Sequence, residues 1–491
     1  MTITTVVAQA LHDSPDRVFI REFGGVEYTI ANLRKKVDEI ADGLSATFGD
    51  CNRLVIGVAM RSSYEWVAAM FAIMKVHAVL LPVPLEFSDE QIGSLLGKAA
   101  AVFVGEITTS DRMKRILPGT LCLTCDAPVG AAQDTNGHER IEEGIFGIIH
   151  TSGTTSKPKG VKIRDEAVGL LIRHVQQRLP SRPLNYLSIV PMSLLIEQVF
   201  GIFLPLVTGG SLILMPKGVS EYGAQSGNAA CYLDLVAKAK PDFLYLPPKL
   251  LEEADAKLDT NGIRAVFGEP VPHIITGGAK VPLAILRSLD GKGLPVYEAY
   301  GLSENSSIIS LNSPEKRMIG SAGHLLNGIE SRIVDGELLV KTPTLCAGYY
   351  NTDDTACDLS DGYLHTGDIA EIHDGFLYIT GRKKHVIILS TARNISPEWV
   401  ETIYKDSPLI DDIIVIGDGY SEPAAIVLSG ATEEAVRAEM ATRHSKLADF
   451  ARITRIHVEP NISSFRKQFY TVTGRPRRNA IAEAFGARLY A

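Results

Sequence analysis

Short apolar runs alternate with amphipathic stretches along most of this chain. The runs at 54–58, 79–82 and 101–104 are continuous and brief, as expected of strands buried on both faces, and residues 63–76 between the first two read as a helix. A further run at 145–149 precedes Val168, Leu171, Ile172, Val175 and Leu179, which recur at helical spacing. This alternation predicts α/β layers. From the neighbourhood of Gly323 the texture changes to strand pairs: 337–340 and 376–379 each follow an Asp-Gly turn, Asp335-Gly336 and Asp374-Gly375. Past Arg382 the pattern is that of a small α+β module. Ser396-Pro397 signals a helix start, 413–416 and 425–428 read as strands, and 432–453 reads as one helix. The predicted fold class is α/β. A large N-terminal domain of layered α/β subdomains with a β-rich closing part spans 1–382, and a small α+β C-terminal domain spans 383–491.

Composition narrows the function classes. With 491 residues, 45% of them hydrophobic, the chain can bury large cores and is too long for one ordinary domain. A formal charge of -8 supplies no basic footprint, so no nucleic-acid partner is expected. No apolar run approaches ~20 residues and the N-terminus lacks a signal-peptide pattern, so a soluble, cytoplasmic protein with no membrane span is expected. The six cysteines are scattered, as reduced thiols are. Cys122 and Cys125 form a lone CxxC with no second pair and read as structural thiols; the twelve histidines show no ligand spacing, and no structural metal is expected.

The chemistry-bearing stretch is TSGTTSKPKG at 151–160, placed between the apolar run 145–149 and the helical pattern around 168–179. Gly153 and Gly160 permit inward turns of the backbone. N–H groups and the hydroxyls of Thr151, Ser152, Thr154, Thr155 and Ser156 can then converge on oxyanions, with Lys157 and Lys159 adding charge. The spacing is not that of a Walker loop. A solvated Ser/Thr/Gly surface loop would use the same residues.

Further motifs follow in order: GGA at 277–279, EAYGLSE at 298–304, GYY at 348–350, HTGD at 365–368, YITGRKK at 378–384 and TVTGRPRR at 471–478. Together with 151–160 they resemble the adenylate-forming superfamily of acyl-CoA and aryl-CoA synthetases, luciferases and peptide-synthetase adenylation domains, and the resemblance covers nearly the whole chain. It implies ATP and Mg2+ as cofactors, and a C-terminal domain that rotates about a hinge at Lys384 between two half-reactions. The resemblance assigns residues 151–160, including Lys159, to the β- and γ-phosphates of ATP. Glu304 takes the role of the magnesium carboxylate and Ser303 that of a donor to the α-phosphate. Tyr300 would pack on adenine, admitted by the small Gly277, Gly278 and Ala279; Glu298, which opens that motif, joins the nucleotide-binding set. Asp368 would accept from the ribose hydroxyls, and Arg382 would contact ribose or phosphate.

Two departures qualify the acceptor and the first step. Where the family carries a lysine bridging carboxylate, α-phosphate and ribose, this chain has Arg475, which keeps the charge in a longer, forked group. In place of two glycines lining the pantetheine passage it has Thr391 and Ala392. The segment PMSLLIEQVFG at 191–201 resembles a long-chain acyl-CoA synthetase segment with its histidine replaced by Leu194. No acidic partner for a substrate ammonium stands among Met192, Leu194 and Ile196, which favours an apolar or aromatic acid, although core packing would select the same residues. The expected function is AMP-forming ligation of a small carboxylic acid, by default to CoA. An amine acceptor, a carrier-protein acceptor and a non-catalytic nucleotide-binding homologue are the alternatives.

Overall fold

The computed structural model describes residues 1–127, 138–151, 159–222, 229–351, 357–390, 394–471 and 474–490. Among them, two large sheets form the bulk of the fold. The first has seven strands, in the order Tyr349–Tyr350, Lys159–Arg164, Ile145–Thr151, Val79–Pro82, Val55–Ala59, Ala101–Val104 and Leu121–Leu123. Its central strands pair in parallel and are buried on both faces: Ile56 and Val58 enter one core while Val55 and Ala59 enter another. The second has nine strands and ends on Val296–Tyr300, Ser310–Leu311 and His324–Leu325. Val168, Leu171, Ile172 and Val175 all lie buried on the helix Asp165–Gln176, as their spacing predicts.

One local expectation is corrected. The 151–160 stretch does not run from a strand into a helix. It joins Ile145–Thr151 to Lys159–Arg164, two antiparallel neighbours in register from Gly147↔Ile163 to Thr151↔Lys159 with a register shift before Gly147, and the helix begins only at Asp165. Val161 and Ile163 alternate inward with Lys162 and Arg164 outward, the period-2 pattern that distinguishes this short strand from a helical start.

The closing part is antiparallel. Both Asp-Gly turns behave as two-residue hairpins, with Asp335 and Gly336 at φ 51° and 79° and Asp374 and Gly375 at 51° and 79°, closing the pairs Val334↔Glu337 and His373↔Phe376. The strand Phe376–Arg382 ends at the arginine, and a single tight turn Lys383–His385 follows.

Beyond it, Asp412–Ile416, Ala424–Leu428 and Arg455–Glu459 form a three-stranded sheet. Ile413, Val415, Ala425 and Val427 pack on one face with Val400, Tyr404, Val436 and Met440, while Ile414, Ile416, Ala424, Ile426 and Leu428 pack on the other with Phe465, Phe469 and Ile481. The expected helix over 432–453 is a second correction: it stops at Ala441, and two short turns, His444–Lys446 and Asp449–Ala451, carry the chain back to the strand Arg455–Glu459. Val436 and Met440 supply the apolar face of the short helix, and Leu447, Ala451 and Ile453 bury themselves from turns instead.

Among the described residues, no helix is long and apolar enough to cross a membrane. The six cysteines are thiols, and burial pushes the Cys125 thiol up to about 12.

Candidate functional site

Asp368 lies on the strand Tyr363–His373, directly opposite Arg382 in register. The residue is only 2% exposed. Arg382 Nε lies 2.6 Å from Oδ1, and the Tyr300 hydroxyl donates to Oδ2 at 2.6 Å. Burial raises the Asp368 pKa above the usual carboxylate range, although Arg382, the Tyr300 hydrogen bond and Arg475 all act to hold it down. Burial, then Asp368, pushes the Tyr300 phenol far up, so it stays a protonated donor. The carboxylate is thus aimed by two groups from separate strands, as a group that must receive hydrogen bonds in one orientation requires.

Tyr300 ends the strand Val296–Tyr300, next to His273–Thr276, from whose end the GGA turn springs. A side chain at Gly277 would place its Cβ 2.9 Å from the Ala299 carbonyl oxygen, and Gly278 sits at φ +81°. Only glycine suits both positions without a shift of the backbone. The Tyr245 hydroxyl donates to the Gly277 carbonyl at 2.9 Å, and Arg475 Nη2 donates to the Gly278 carbonyl at 2.7 Å. Arg475 is presented from a turn in which Thr471 N–H donates to its carbonyl and its own N–H donates to Thr471 Oγ1. Ala279 is exposed beside these groups. Glu298 accepts from the Gly320 N–H at 2.7 Å and is raised to about 7 by burial. The Lys384 ammonium is held below the ordinary lysine range by partial burial, then by Arg382 and Arg475, which places it in the same cationic neighbourhood.

The second half of the site is built around Glu304. With Ser303 it occupies the turn Ser303–Asn305, and its main-chain carbonyl accepts from Cys346 N–H at 2.8 Å. Tyr349 Oη donates to Glu304 Oε1 at 2.9 Å, and Lys159 Nζ stands 5.1 Å from the Tyr349 ring centroid. Tyr349 therefore touches both the carboxylate and the lysine at the end of the 151–160 stretch. The sequence showed it only as a letter in GYY; its role as a bridge needed the pairing Tyr349↔Val161. Ser152, Gly153, Thr154 and Thr155 lie outside the described residues, as do Thr391 and Ala392; Thr151 ends its strand.

The segment 191–201 adjoins these groups through Phe200, whose ring centroid lies 6.0 Å from that of Tyr245. Met192 is 1% exposed in the large core, and Leu194 and Ile196 pack partly buried against the same cluster. Glu197, absent from the sequence reading, is fully buried. It accepts from Tyr186 Oη and Ser188 Oγ, both at 2.6 Å, and burial raises it to about 8. A glutamate inside the mostly apolar run SLLIEQVFG was the signal for it.

Among the described residues, no group of three or more His, Cys, Asp or Glu forms a cage for a metal ion. The lone carboxylate of Glu304 instead fits a hard cation that shares substrate phosphates and keeps its waters, as Mg2+ does.

A family model described as "AMP-binding enzyme" matches residues 7–350, and one described as "AMP-binding enzyme C-terminal domain" matches 384–487. The chain is 27% identical over 483 residues to the long-chain-fatty-acid–CoA ligase FadD15 of Mycobacterium bovis, covering 85% of this chain and 80% of that one. It is 28% identical over 452 residues to the 2-succinylbenzoate–CoA ligase of Bacillus cereus, covering 86% and 87%. The crystal structure of the anthranilate CoA ligase AuaEII in complex with anthranoyl-AMP superposes with a TM-score of 0.84 at 18% identity, covering 100% of this chain and 98% of that one.

Proposed function

The chain belongs to the AMP-binding enzyme family, and from that premise we propose that it is an AMP-forming ligase that activates an apolar or aromatic carboxylic acid with ATP and passes the acyl group to CoA. The observation that carries this reading is the meeting of Asp368, Tyr300, Arg382 and Arg475 at the Gly278 turn. An acid attacking the α-phosphate brings two anions together, and preorganised cations beside an oriented carboxylate offset that repulsion.

In this reading Asp368 receives the ribose hydroxyls, exchanging its Tyr300 and Arg382 contacts in part for substrate. Ser303 donates to the α-phosphate. Arg475 neutralises the charge that develops as the acid oxygen attacks and pyrophosphate leaves, while Thr151 to Thr155 and Lys159 hold the departing β- and γ-phosphates. Glu304, steadied by Tyr349, would hold Mg2+, which neutralises phosphate charge when bound. Gly277, Gly278, Ala279 and Glu298 shape the nucleotide side; Met192, Leu194 and Ile196 line the acid side. We further propose that 1–382 and 383–491 are the two domains, with Lys384 as hinge, and that the ligase acts in the cytoplasm.

Thr391 and Ala392 favour a second acceptor. Side chains in place of glycines narrow the backbone freedom of a pantetheine passage, and an amine, giving an amide, needs no such passage. A carrier-protein arm would meet the same constraint as CoA. A non-catalytic role is opposed by the retention of Glu304, Asp368 and the 151–160 stretch together. The test is to offer an acid panel with ATP, magnesium and either CoA or amines, and to identify products by mass spectrometry. Thioesters support the CoA reading, amides the second acceptor, and no product from any acid contradicts both.

A further inference from the structure

The Sγ atoms of Cys346 and Cys357 lie 2.9 Å apart, and both residues are thiols. A disulfide needs about 2.05 Å between sulfurs, so closure requires a displacement of less than about 1 Å. We propose that this dithiol is an oxidisable modification site, which takes a peroxide and becomes a cross-link that disturbs Glu304 and slows adenylation. The consequence for activity rests on the reading of Glu304 given above; the cross-link itself does not.

Placement gives the pair its leverage. The Cys346 N–H donates to the Glu304 main-chain carbonyl, and the Gly348 N–H donates to Cys346 Sγ at 3.4 Å. One residue on, Tyr349 holds the Glu304 carboxylate. Ala347 N–H donates to Lys162, and Lys162 N–H to Gly348, which lashes the same segment to the strand that leaves the 151–160 stretch. Drawing Cys346 Sγ toward Cys357 takes it from the Gly348 N–H and shifts the segment on which the Glu304 contacts depend.

The two thiols differ in access: Cys346 is 3% exposed, whereas Cys357 is only partly buried. Peroxide reaches Cys357 first. Its sulfur attacks one peroxide oxygen, the O–O bond breaks, and one water leaves, forming a sulfenic acid. Cys346 sulfur then attacks the Cys357 sulfur; the S–O bond breaks and the hydroxide takes the Cys346 thiol proton as a second water. Two thiols and one peroxide give one disulfide and two waters, with two electrons passing from sulfur to oxygen. Excess dithiothreitol reverses the bond by exchange.

The test uses the full chain, reduced, desalted and titrated with hydrogen peroxide. Both cysteines fall in one tryptic peptide, 342–382, because no Lys or Arg lies between Lys341 and Arg382. Oxidation should lower the mass of that peptide by about 2 Da and block its alkylation, before Cys51, Cys122, Cys125 or Cys231 are lost to alkylation. ATP–pyrophosphate exchange should fall in step, by on the order of 10- to 100-fold as expected for a ~1 Å misplacement, and return with dithiothreitol. Cys357→Ser should keep basal exchange and lose the peroxide response. A linkage that forms only after denaturation, or that forms with exchange unchanged, overturns the proposal. Absence of exchange in the reduced wild type contradicts the adenylation reading instead, and the peptide map then still decides whether the dithiol closes.

Discussion

Arg475 donates its Nη2 hydrogen to the main-chain carbonyl of Gly278, 197 residues earlier in the chain, at 2.7 Å. This bond brings the last motif of the C-terminal segment onto the GGA turn through one nitrogen of the guanidinium fork. Arg475→Ala is expected to slow acyl-adenylate formation ~100- to 1,000-fold, the cost of removing one preorganised donor. Reaction of a supplied acyl adenylate with the acceptor should change far less if, as proposed above, the C-terminal domain rotates about Lys384 and withdraws this residue in the second step. Arg475→Lys should retain or increase adenylation. Single-turnover measurements of each half-reaction decide this, and equal damage to both would assign Arg475 to the fold.

Tyr349→Phe keeps the ring under Lys159 and removes only the hydroxyl that holds Glu304. A hydrogen bond to a charged acceptor contributes ~1.5–3 kcal/mol, so adenylation should fall about 10- to 100-fold. More magnesium should be needed for half-maximal pyrophosphate release. Glu304→Gln should lose more, and added magnesium should not restore it. A magnesium titration of Tyr349→Phe that overlays the wild type would exclude the bridging role.

Asp368→Asn keeps size and removes charge from a group aimed by Tyr300 and Arg382. Adenylation should drop ~100-fold or more, chiefly through weaker ATP positioning. Burial raises the wild-type Asp368 pKa, so activity should fall on acidification at a higher pH than an ordinary aspartate would give. A pH–rate profile of wild type against Asp368→Asn reads both effects.

Glu197 supplies a stability test independent of substrate. Its folded pKa is about 8, above the unfolded value, so between the ordinary glutamate range and about pH 8 the native state binds more protons than the unfolded one. Stability contributed by this group is present at low pH and lost as pH rises through that window, at up to ~1.4 kcal/mol per pH unit. Glu197→Gln should flatten that slope in denaturant midpoints measured from pH 5 to 8. An unchanged slope would mean that Glu197 is ionised throughout.

Much of this was legible in the sequence. The Asp-Gly hairpins and the buried strands at 79–82 and 101–104 follow from turn chemistry and apolar continuity, which act locally. The strand after the 151–160 stretch was missed because GVKIR is too short for its alternation to outweigh the helical pattern behind it. The overlong helix at 432–453 failed because amphipathic turns and helix share one apolar spacing. Motif order located Asp368 and Arg382, yet the Tyr349 bridge and the Cys346–Cys357 pair depend on register between distant strands, which no local pattern encodes.

In the proposed reading the acceptor turns on Thr391 and Ala392. Changing both to Gly should raise thioester formation with CoA relative to amide formation with a small amine, both measured from the same acyl adenylate. Added unfolded-state entropy should cost about 0.4–1 kcal/mol per site. If the parent protein already uses CoA well and the variant gains nothing, these positions do not gate the acceptor.

The most direct test of the central claim is which bond of ATP breaks. Wild-type protein with magnesium, ATP and an acid panel, followed by separation of nucleotides, should yield pyrophosphate and an acyl adenylate in equal amounts, becoming AMP when acceptor is added. ADP accompanied by an acyl phosphate would contradict the account.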